Sequence, residues 1–223
     1  MQALDLAALR AAPLTRQPFE YLVVSGFIKA EARAAVNANY PRIEQPGSFP
    51  VGGLTYGPAF RALLAALTGP DVRAAFEEKF RIDLAKRPTM VTVRGRCGPK
   101  DGNIHTDAVT KLITVLIYLN PHWEQTGGRL RLLRSATDID DILVEVPPED
   151  GTLVAFRRSD NSYHGHKPFI GPRRVIQLNW VTDRLTVRRE ALRHRVSAWM
   201  KRLFRLTRSQ ESGVRSQGSG VND

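Results

Sequence analysis

The second half of this sequence is a succession of short β-type segments, and this feature restricts the possible fold more than any other. From residue 90 onward, runs rich in valine, isoleucine, leucine and threonine alternate with segments that contain glycine or proline. The predicted strands are 90–96, 111–119, 129–133, 142–146, 152–156 and 174–181. Because no helix recurs between successive strands, the pattern predicts an antiparallel double-stranded β-helix, or jelly roll, rather than a doubly wound sheet.

The first half of the sequence has mainly helical patterns. Four helices are predicted at 3–12, 29–39, 58–67 and 71–80, together with a strand at 20–24 and a loop at 41–57. Pro58 is expected near a helix start, and Asp71 is a candidate N-cap. We therefore predict one domain over 1–183, in which helical support (1–88) packs on one face of a jelly-roll core (89–183), giving a mainly β fold with flanking helices.

The C-terminal segment holds most of the excess positive charge. The formal net charge of the chain is +11, and only one acidic residue, Glu190, lies between 184 and 208. The basic residues of this segment are Arg184, Arg188, Arg189, Arg193, Arg195, Lys201, Arg202, Arg205 and Arg208. We predict a basic amphipathic helix at 184–208, which either packs on the jelly roll or docks on an anionic membrane, a polysaccharide or a nucleic acid. Residues 209–223, rich in serine and glycine, are predicted to be disordered.

The cysteine content and the hydropathy of the sequence indicate where in the cell the protein is expected. A single cysteine, Cys97, excludes an intramolecular disulfide framework, and Asp5 and Arg10 interrupt the only candidate for an N-terminal apolar segment. No run approaches the roughly 18 apolar residues that a transmembrane helix needs. We expect a cytoplasmic protein without a transmembrane segment, peripheral to an anionic membrane surface if the basic helix docks there.

His105 and Asp107 form the strongest candidate for a metal site. They are two residues apart, so on an extended segment their side chains project from the same face. Two histidines and one carboxylate suit non-haem Fe(II), because they leave coordination positions open for a co-substrate and oxygen. Either His164 or His166 can supply the third ligand, and since both have the same parity, alternation does not separate them.

The order and spacing of several further motifs resemble those of Fe(II)/2-oxoglutarate dioxygenases, specifically the prolyl-4-hydroxylase-like branch. The resemblance extends from residue 105 to residue 174. The motifs are His105-x-Asp107, Tyr118-Leu119-Asn120-Pro121-x-Trp123, Gly127-Gly128-x-Leu130, Gly151-Thr152-Leu153-Val154-Ala155-Phe156, Ser162-x-His164-Gly165 and Gly171-Pro172-Arg173-Arg174. This resemblance implies a jelly-roll fold and an oxidoreductase that uses Fe(II), 2-oxoglutarate and O2, with ascorbate as a further ligand.

The resemblance also implies roles for individual residues. It makes His164 the third iron ligand, since Pro168 and the arginines follow it at the family's spacing, and leaves His166 as a rim residue or substrate contact. Arg173 matches the residue that holds the distal carboxylate of 2-oxoglutarate, a task suited to a planar guanidinium. Tyr118 matches a hydroxyl that assists it, whereas Arg174 is expected to point to the opposite face.

The chain departs from the family pattern at one position. A second tyrosine often precedes the metal motif on the strand before it, but this chain has no tyrosine between 91 and 96. Part of the predicted co-substrate pocket is therefore unassigned.

The expected function is hydroxylation of an unactivated C–H bond, with a peptidyl-prolyl or other amino-acid residue as the leading substrate. Free amino acids, sugars, lipids and other small molecules are alternatives with the same mechanism, because no residue of the sequence selects among them. A metal enzyme of the cupin type without 2-oxoglutarate would not need Arg173. A non-catalytic module that binds a polyanion or a membrane and retains a vestigial site is the remaining alternative.

Overall fold

The computed structural model describes residues 3–183, 185 and 187. The N-terminal part contains α1 (Leu6–Ala11), β1 (Tyr21–Val24), α2 (Ala30–Ala38), β2 (Phe49–Pro50), a 3-10 turn (Val51–Gly53), α3 (Pro58–Leu67) and α4 (Pro70–Phe80). The four predicted helices are thus confirmed, with small shifts of their ends. The suggestion that Asp71 caps a helix is wrong, because Pro70 occupies the first helical position and Gly69 becomes the N-cap.

The strands follow in the predicted order, and they form two sheets. They are β3 (Thr89–Cys97), β4 (Lys111–Tyr118), β5 (Leu130–Leu133), β6 (Ile142–Val146), β7 (Leu153–Arg157), β8 (His164–Gly165) and β9 (Gly171–Val181). The large sheet has the order β1-β7-β4-β9-β3-β2, and the small sheet has the order β6-β5-β8. All pairings are antiparallel, which confirms the predicted jelly roll with flanking helices.

Each face of the large sheet packs against a different partner. One face, with Ile113, Val115 and Ile117 of β4, packs on the four helices and forms the main hydrophobic core. The alternate residues Leu116 and Tyr118 belong to a second, smaller cluster that also includes residues of β5 in the small sheet. Because neighbouring strand residues point to opposite faces, one strand contributes to both layers. The helices therefore cover one face, as predicted, and leave the space between the sheets for other side chains.

Two strands of the fold were not predicted, namely β2 and β8. Each has only two residues, and their pairing depends on β3 and β5 respectively. The predicted loop at 41–57 consequently contains β2 and the 3-10 turn. The compact unit of the described residues ends at Val187, so the predicted basic helix at 184–208, apart from residues 185 and 187, and the predicted tail at 209–223 lie outside the described residues. Within the described part, no helix has the length and apolar character needed to cross a membrane.

Candidate active site

Pairing between two short segments brings His105, Asp107 and His164 together. His105 and His164 form an antiparallel bridge, in which the amide of His105 donates to the carbonyl of His164 (3.1 Å) and the reverse bond measures 3.0 Å. Their ring centroids lie 4.3 Å apart. One potential ligand atom from each of the three residues lies within 4.8 Å of the other two. The structure does not include His166 in this cluster.

Hydrogen bonds to backbone carbonyls orient both imidazoles of the cluster. Nδ1 of His105 lies 2.8 Å from the carbonyl oxygen of Asn103, and Nδ1 of His164 lies 3.0 Å from that of Ser162. A carbonyl oxygen only accepts, so each Nδ1 carries a hydrogen, and in the neutral form of either ring the lone pair is on Nε2. Burial lowers the pKa of His164 to about 4, so this imidazole is neutral at neutral pH.

Asp107 is buried and nevertheless ionised. Burial alone raises the pKa of its carboxyl group, but the nearby charge of Lys111 and hydrogen bonds from Lys111 and Thr114 bring this pKa below its usual value. Lys111 Nζ lies 2.5 Å from Oδ1, and Thr114 Oγ1 lies 2.5 Å from Oδ2. Two imidazoles and one carboxylate form a donor set that fits Fe(II).

A buried arginine lies on the face of the large sheet that points toward the small sheet, which we call the inner face. Arg173 is only 5% exposed; its Nε donates to the carbonyl of Gly128 (2.7 Å), and its Nη2 lies 3.5 Å from the hydroxyl of Tyr118. Its guanidinium also lies 5.3 Å from the centroid of the Tyr118 ring. Among the described residues, no aspartate or glutamate forms an ion pair with it. A buried cation without a counter-ion is costly, so this position fits the carboxylate of a ligand.

Arg94 lies on β3, in the segment where the sequence lacks the second tyrosine. Its Nη1 lies 2.7 Å from Asp101 Oδ2, and the same Asp101 oxygen accepts a hydrogen bond from the amide of Gly98 (2.8 Å). This ion pair fixes the turn that leads toward His105. Arg94 was not predicted as a functional residue, although its polar side chain in the middle of a predicted strand was a usable signal.

His166 and Arg174 both lie apart from the metal-ligand cluster. His166 is buried, its Nδ1 lies 2.9 Å from the carbonyl of Lys167, and burial together with the charge of Arg173 lowers its pKa to about 4. Arg174 points to the opposite side of β9 from Arg173, where its guanidinium lies 5.2 Å from the centroid of the Tyr40 ring. The predicted opposite orientations of Arg173 and Arg174 agree with these contacts.

Comparison with known proteins shows what the strand-rich part of the chain is similar to. Residues 95–182 match the family model described as the 2OG-Fe(II) oxygenase superfamily. No curated protein sequence matches the chain. The matched segment contains the metal-ligand cluster together with Arg173 and Tyr118, so this segment is similar to the 2OG-Fe(II) oxygenases, a class of enzymes that uses Fe(II), 2-oxoglutarate and O2.

Solved structures with a similar fold include prolyl hydroxylases. A prolyl-4-hydroxylase from Pseudomonas putida superimposes with a TM-score of 0.53 at 17% identity, covering 73% of this chain and 92% of the other. A viral collagen prolyl hydroxylase from Paramecium Bursaria Chlorella virus-1, in complex with 2OG, gives 0.51 at 17% identity, covering 73% and 96%. A 2OG-Fe(II) oxygenase family protein from Burkholderia pseudomallei gives 0.52 at 14% identity, covering 79% and 90%. The chain therefore has the fold of the prolyl-4-hydroxylase-like enzymes.

Proposed function

We propose that this chain is a hydroxylase of an unactivated C–H bond in a peptidyl-prolyl or other amino-acid residue. His105, Asp107 and His164 would hold Fe(II), while Arg173 and Tyr118 would hold the distal carboxylate of 2-oxoglutarate. The observation that carries this proposal is the combination of a two-histidine, one-carboxylate donor set with a buried arginine that has no carboxylate partner among the described residues. A metal enzyme of the cupin type without 2-oxoglutarate would not need that arginine.

Both groups face the same space between the two sheets. The ring of His164 lies 4.7 Å from that of Phe156, which packs in the same cluster as Tyr118. Thr114, which binds Asp107, shares its strand face with Tyr118, since the two are four residues apart on β4. A ligand between the sheets can therefore reach the metal ligands at one end and Arg173 at the other.

Each proposed residue has a defined task. The two histidines would offer Nε2 lone pairs, because backbone carbonyls hold both Nδ1 hydrogens, and Asp107 would supply the charge that balances the metal. Arg173 would pair with the co-substrate carboxylate through charge-assisted hydrogen bonds and fix its orientation. With Fe(II) bound, the reaction would convert 2-oxoglutarate and O2 to succinate and CO2 and add one oxygen atom to the substrate C–H bond.

The exposure of the cluster supports a substrate residue carried on a larger molecule. His105 is exposed, whereas Asp107 and His164 are buried, so one side of the cluster is open to solvent. The prolyl hydroxylases with the same fold act on such substrates according to their names. Small-molecule, sugar and lipid hydroxylation remain alternatives with the same mechanism. We also propose that the oxygenase domain ends at residue 183 and that the basic segment ends at residue 208. Ascorbate binding, a cytoplasmic location and docking of residues 184–208 on an anionic surface complete the proposal.

Proline-containing peptides test the substrate class. Incubation of the iron-loaded protein with a peptide library, 2-oxoglutarate and O2 is expected to add one oxygen atom to a peptide, detected by mass spectrometry. The Asp107→Ala variant is expected to show no such product. Consumption of 2-oxoglutarate that is stimulated by small molecules, with no oxidised peptide at any library position, would replace the peptidyl proposal by the small-molecule alternative.

A further inference from the structure

Buried side chains of two adjacent strands support the Asp107 carboxylate. Thr114 on β4 and Asn179 on β9 are directly opposite each other in the large sheet, and they are 1% and 0% exposed. Thr114 Oγ1 donates to Asp107 Oδ2, and it lies 2.9 Å from the Asn179 side-chain amide. The side-chain amide of Gln177 lies 3.4 Å from that of Asn179, so Asp107, Thr114, Asn179 and Gln177 form a row of polar side chains. The row therefore connects Asp107 to the middle of the sheet.

The hydroxyl of Thr114 has only one hydrogen, and this determines the direction of the row. An ionised carboxylate only accepts, so the hydroxyl hydrogen is directed to Asp107. The contact with Asn179 then needs a donor from Asn179. With its amide nitrogen toward Thr114, Asn179 donates to Oγ1, and the buried Nδ2 gains the acceptor that it lacks in the opposite orientation of the amide. The hydrogens that Asn179 and Thr114 donate within the row then both point toward the carboxylate.

The two partners of Asp107 differ in rigidity. Thr114 has a stiff, β-branched side chain, and its backbone is paired on both sides, with Phe156 of β7 and Asn179 of β9. Lys111, whose side chain is 16% exposed, contacts Oδ1 through a long and flexible chain. Thr114 therefore holds Oδ2 through a stiff side chain, whereas Lys111 supplies a positive charge at Oδ1 through a longer one.

We propose that Thr114, oriented by Asn179, is a positioning residue that fixes the rotation of the Asp107 carboxylate and turns one oxygen toward the two imidazoles. The proposal rests on the proposed function, since it requires Asp107 to be a metal ligand. Residues that hydrogen-bond a metal ligand typically change metal affinity by about 10- to 100-fold when they are removed. Thr114 and Asn179 do not touch the metal themselves in this arrangement, and they act through Asp107.

Cobalt titration of three threonine variants tests this role without a substrate. Thr114→Val keeps the shape of the side chain and removes the hydroxyl, whereas Thr114→Ser keeps the hydroxyl. We expect Thr114→Val to bind Co(II) about 10- to 100-fold more weakly than the wild-type protein, with an altered visible spectrum. Thr114→Ser is expected to restore both properties. Thr92→Val is the matched control, because Thr92 is a buried threonine of the neighbouring strand β3.

Asn179→Ala extends the test to the far end of the row and remains informative if Thr114→Val does not fold. It is expected to weaken Co(II) binding in the same direction, and the double variant is expected to be no weaker than Thr114→Val alone, because both residues act through one carboxylate. Wild-type affinity and spectrum in folded Thr114→Val and Asn179→Ala would overturn the positioning role. Failure of the wild-type protein to bind Co(II) would instead overturn the metal site of the proposed function, and the positioning role with it.

Discussion

The two faces of the large sheet show how the same strands serve stability and chemistry. On β4, residues 113, 115 and 117 are apolar and pack on the helices, whereas Thr114 and Tyr118 on the other face make polar contacts with Asp107 and Arg173. On β9, Ile176 and Leu178 face the helices, while Arg173 and Asn179 face the inner space. Polar groups buried in a sheet need partners, so the polar residues of this inner face, which lie beside apolar residues such as Leu116 and Val175, require a specific arrangement.

The largest effect is expected when a proposed metal ligand beside the inner face is removed. Asp107→Ala is expected to abolish Fe(II) binding and turnover, because only two imidazoles and no anionic donor would remain. Calorimetric titration with Fe(II) under anaerobic conditions measures the loss. His122→Ala, in an exposed histidine outside the cluster, is the control and is expected to bind like the wild-type protein.

Removal of the buried arginine should separate co-substrate binding from metal binding. Arg173→Ala is expected to weaken 2-oxoglutarate binding by on the order of 100-fold, since a buried charge pair is worth roughly 2–5 kcal/mol. Fe(II) affinity is expected to remain close to that of the wild-type protein. Titration of the iron-loaded variant with 2-oxoglutarate measures the shift. Equal 2-oxoglutarate affinity in variant and wild type would remove Arg173 from the site.

A substitution on the helical face should have the opposite profile. Ile117 is fully buried in the core between the large sheet and the helices. Ile117→Ala is expected to lower the free energy of unfolding by about 2–5 kcal/mol, owing to lost burial and the cavity that remains. The folded fraction is expected to retain its Fe(II) and 2-oxoglutarate affinities. Denaturant unfolding and ligand titration of the same sample measure the two effects; a large affinity loss would show that the two faces are not independent.

Acid should destabilise the metal-free protein through the inner face. The folded-state pKa of His164 is about 4, below its ordinary value of 6.5. The unfolded chain therefore binds this proton first as the pH falls from about 6.5 to about 4, and stability declines over this window. The loss between pH 7 and pH 5 is expected to be about 2 kcal/mol for this histidine. Urea unfolding of the wild type and of His164→Gln at both pH values measures this loss. An equal change in the free energy of unfolding between pH 7 and pH 5 in the two proteins would contradict the assignment of the loss to His164.

The smallest effect is expected at the arginine that points the other way. Arg174→Ala removes a guanidinium that lies over the ring of Tyr40 and is expected to cost about 0.5–1 kcal/mol of stability. Its 2-oxoglutarate affinity is expected to match that of the wild-type protein, in contrast to Arg173→Ala. Thermal unfolding and 2-oxoglutarate titration of the two variants side by side provide the comparison. A similar loss of co-substrate affinity in both would contradict the separation of the two faces.

Much of the fold was predictable because most of its strands are apolar and are separated by segments that contain glycine or proline. Residue composition located seven strands and four helices, and the absence of strand–helix alternation indicated the jelly roll. The two-residue strands β2 and β8 were not predicted, because they have too few residues for a periodic pattern. Their existence depends on partners that are distant in the sequence.

The candidate site was only partly predictable from the residues themselves. Parity gave His105 and Asp107 a common face but left His164 and His166 equivalent. The family resemblance favoured His164, and the bridge between residues 105 and 164 brings this histidine beside His105. The polar side chain of Thr114 within an apolar strand was a usable signal for an inner-face role. Its contacts with Asp107 and Asn179 depend on a loop and on a neighbouring strand, so neither follows from local sequence.

Visible absorption spectroscopy tests the proposed Fe(II) and 2-oxoglutarate site directly and needs no substrate. Fe(II) and then 2-oxoglutarate are added anaerobically to the purified protein, and the visible charge-transfer band of the chelate is recorded. We expect the band in the wild-type protein and in His122→Ala, and we expect its loss in Asp107→Ala and His164→Ala. A folded wild-type protein with confirmed iron loading that shows no band on addition of 2-oxoglutarate would contradict the proposed site.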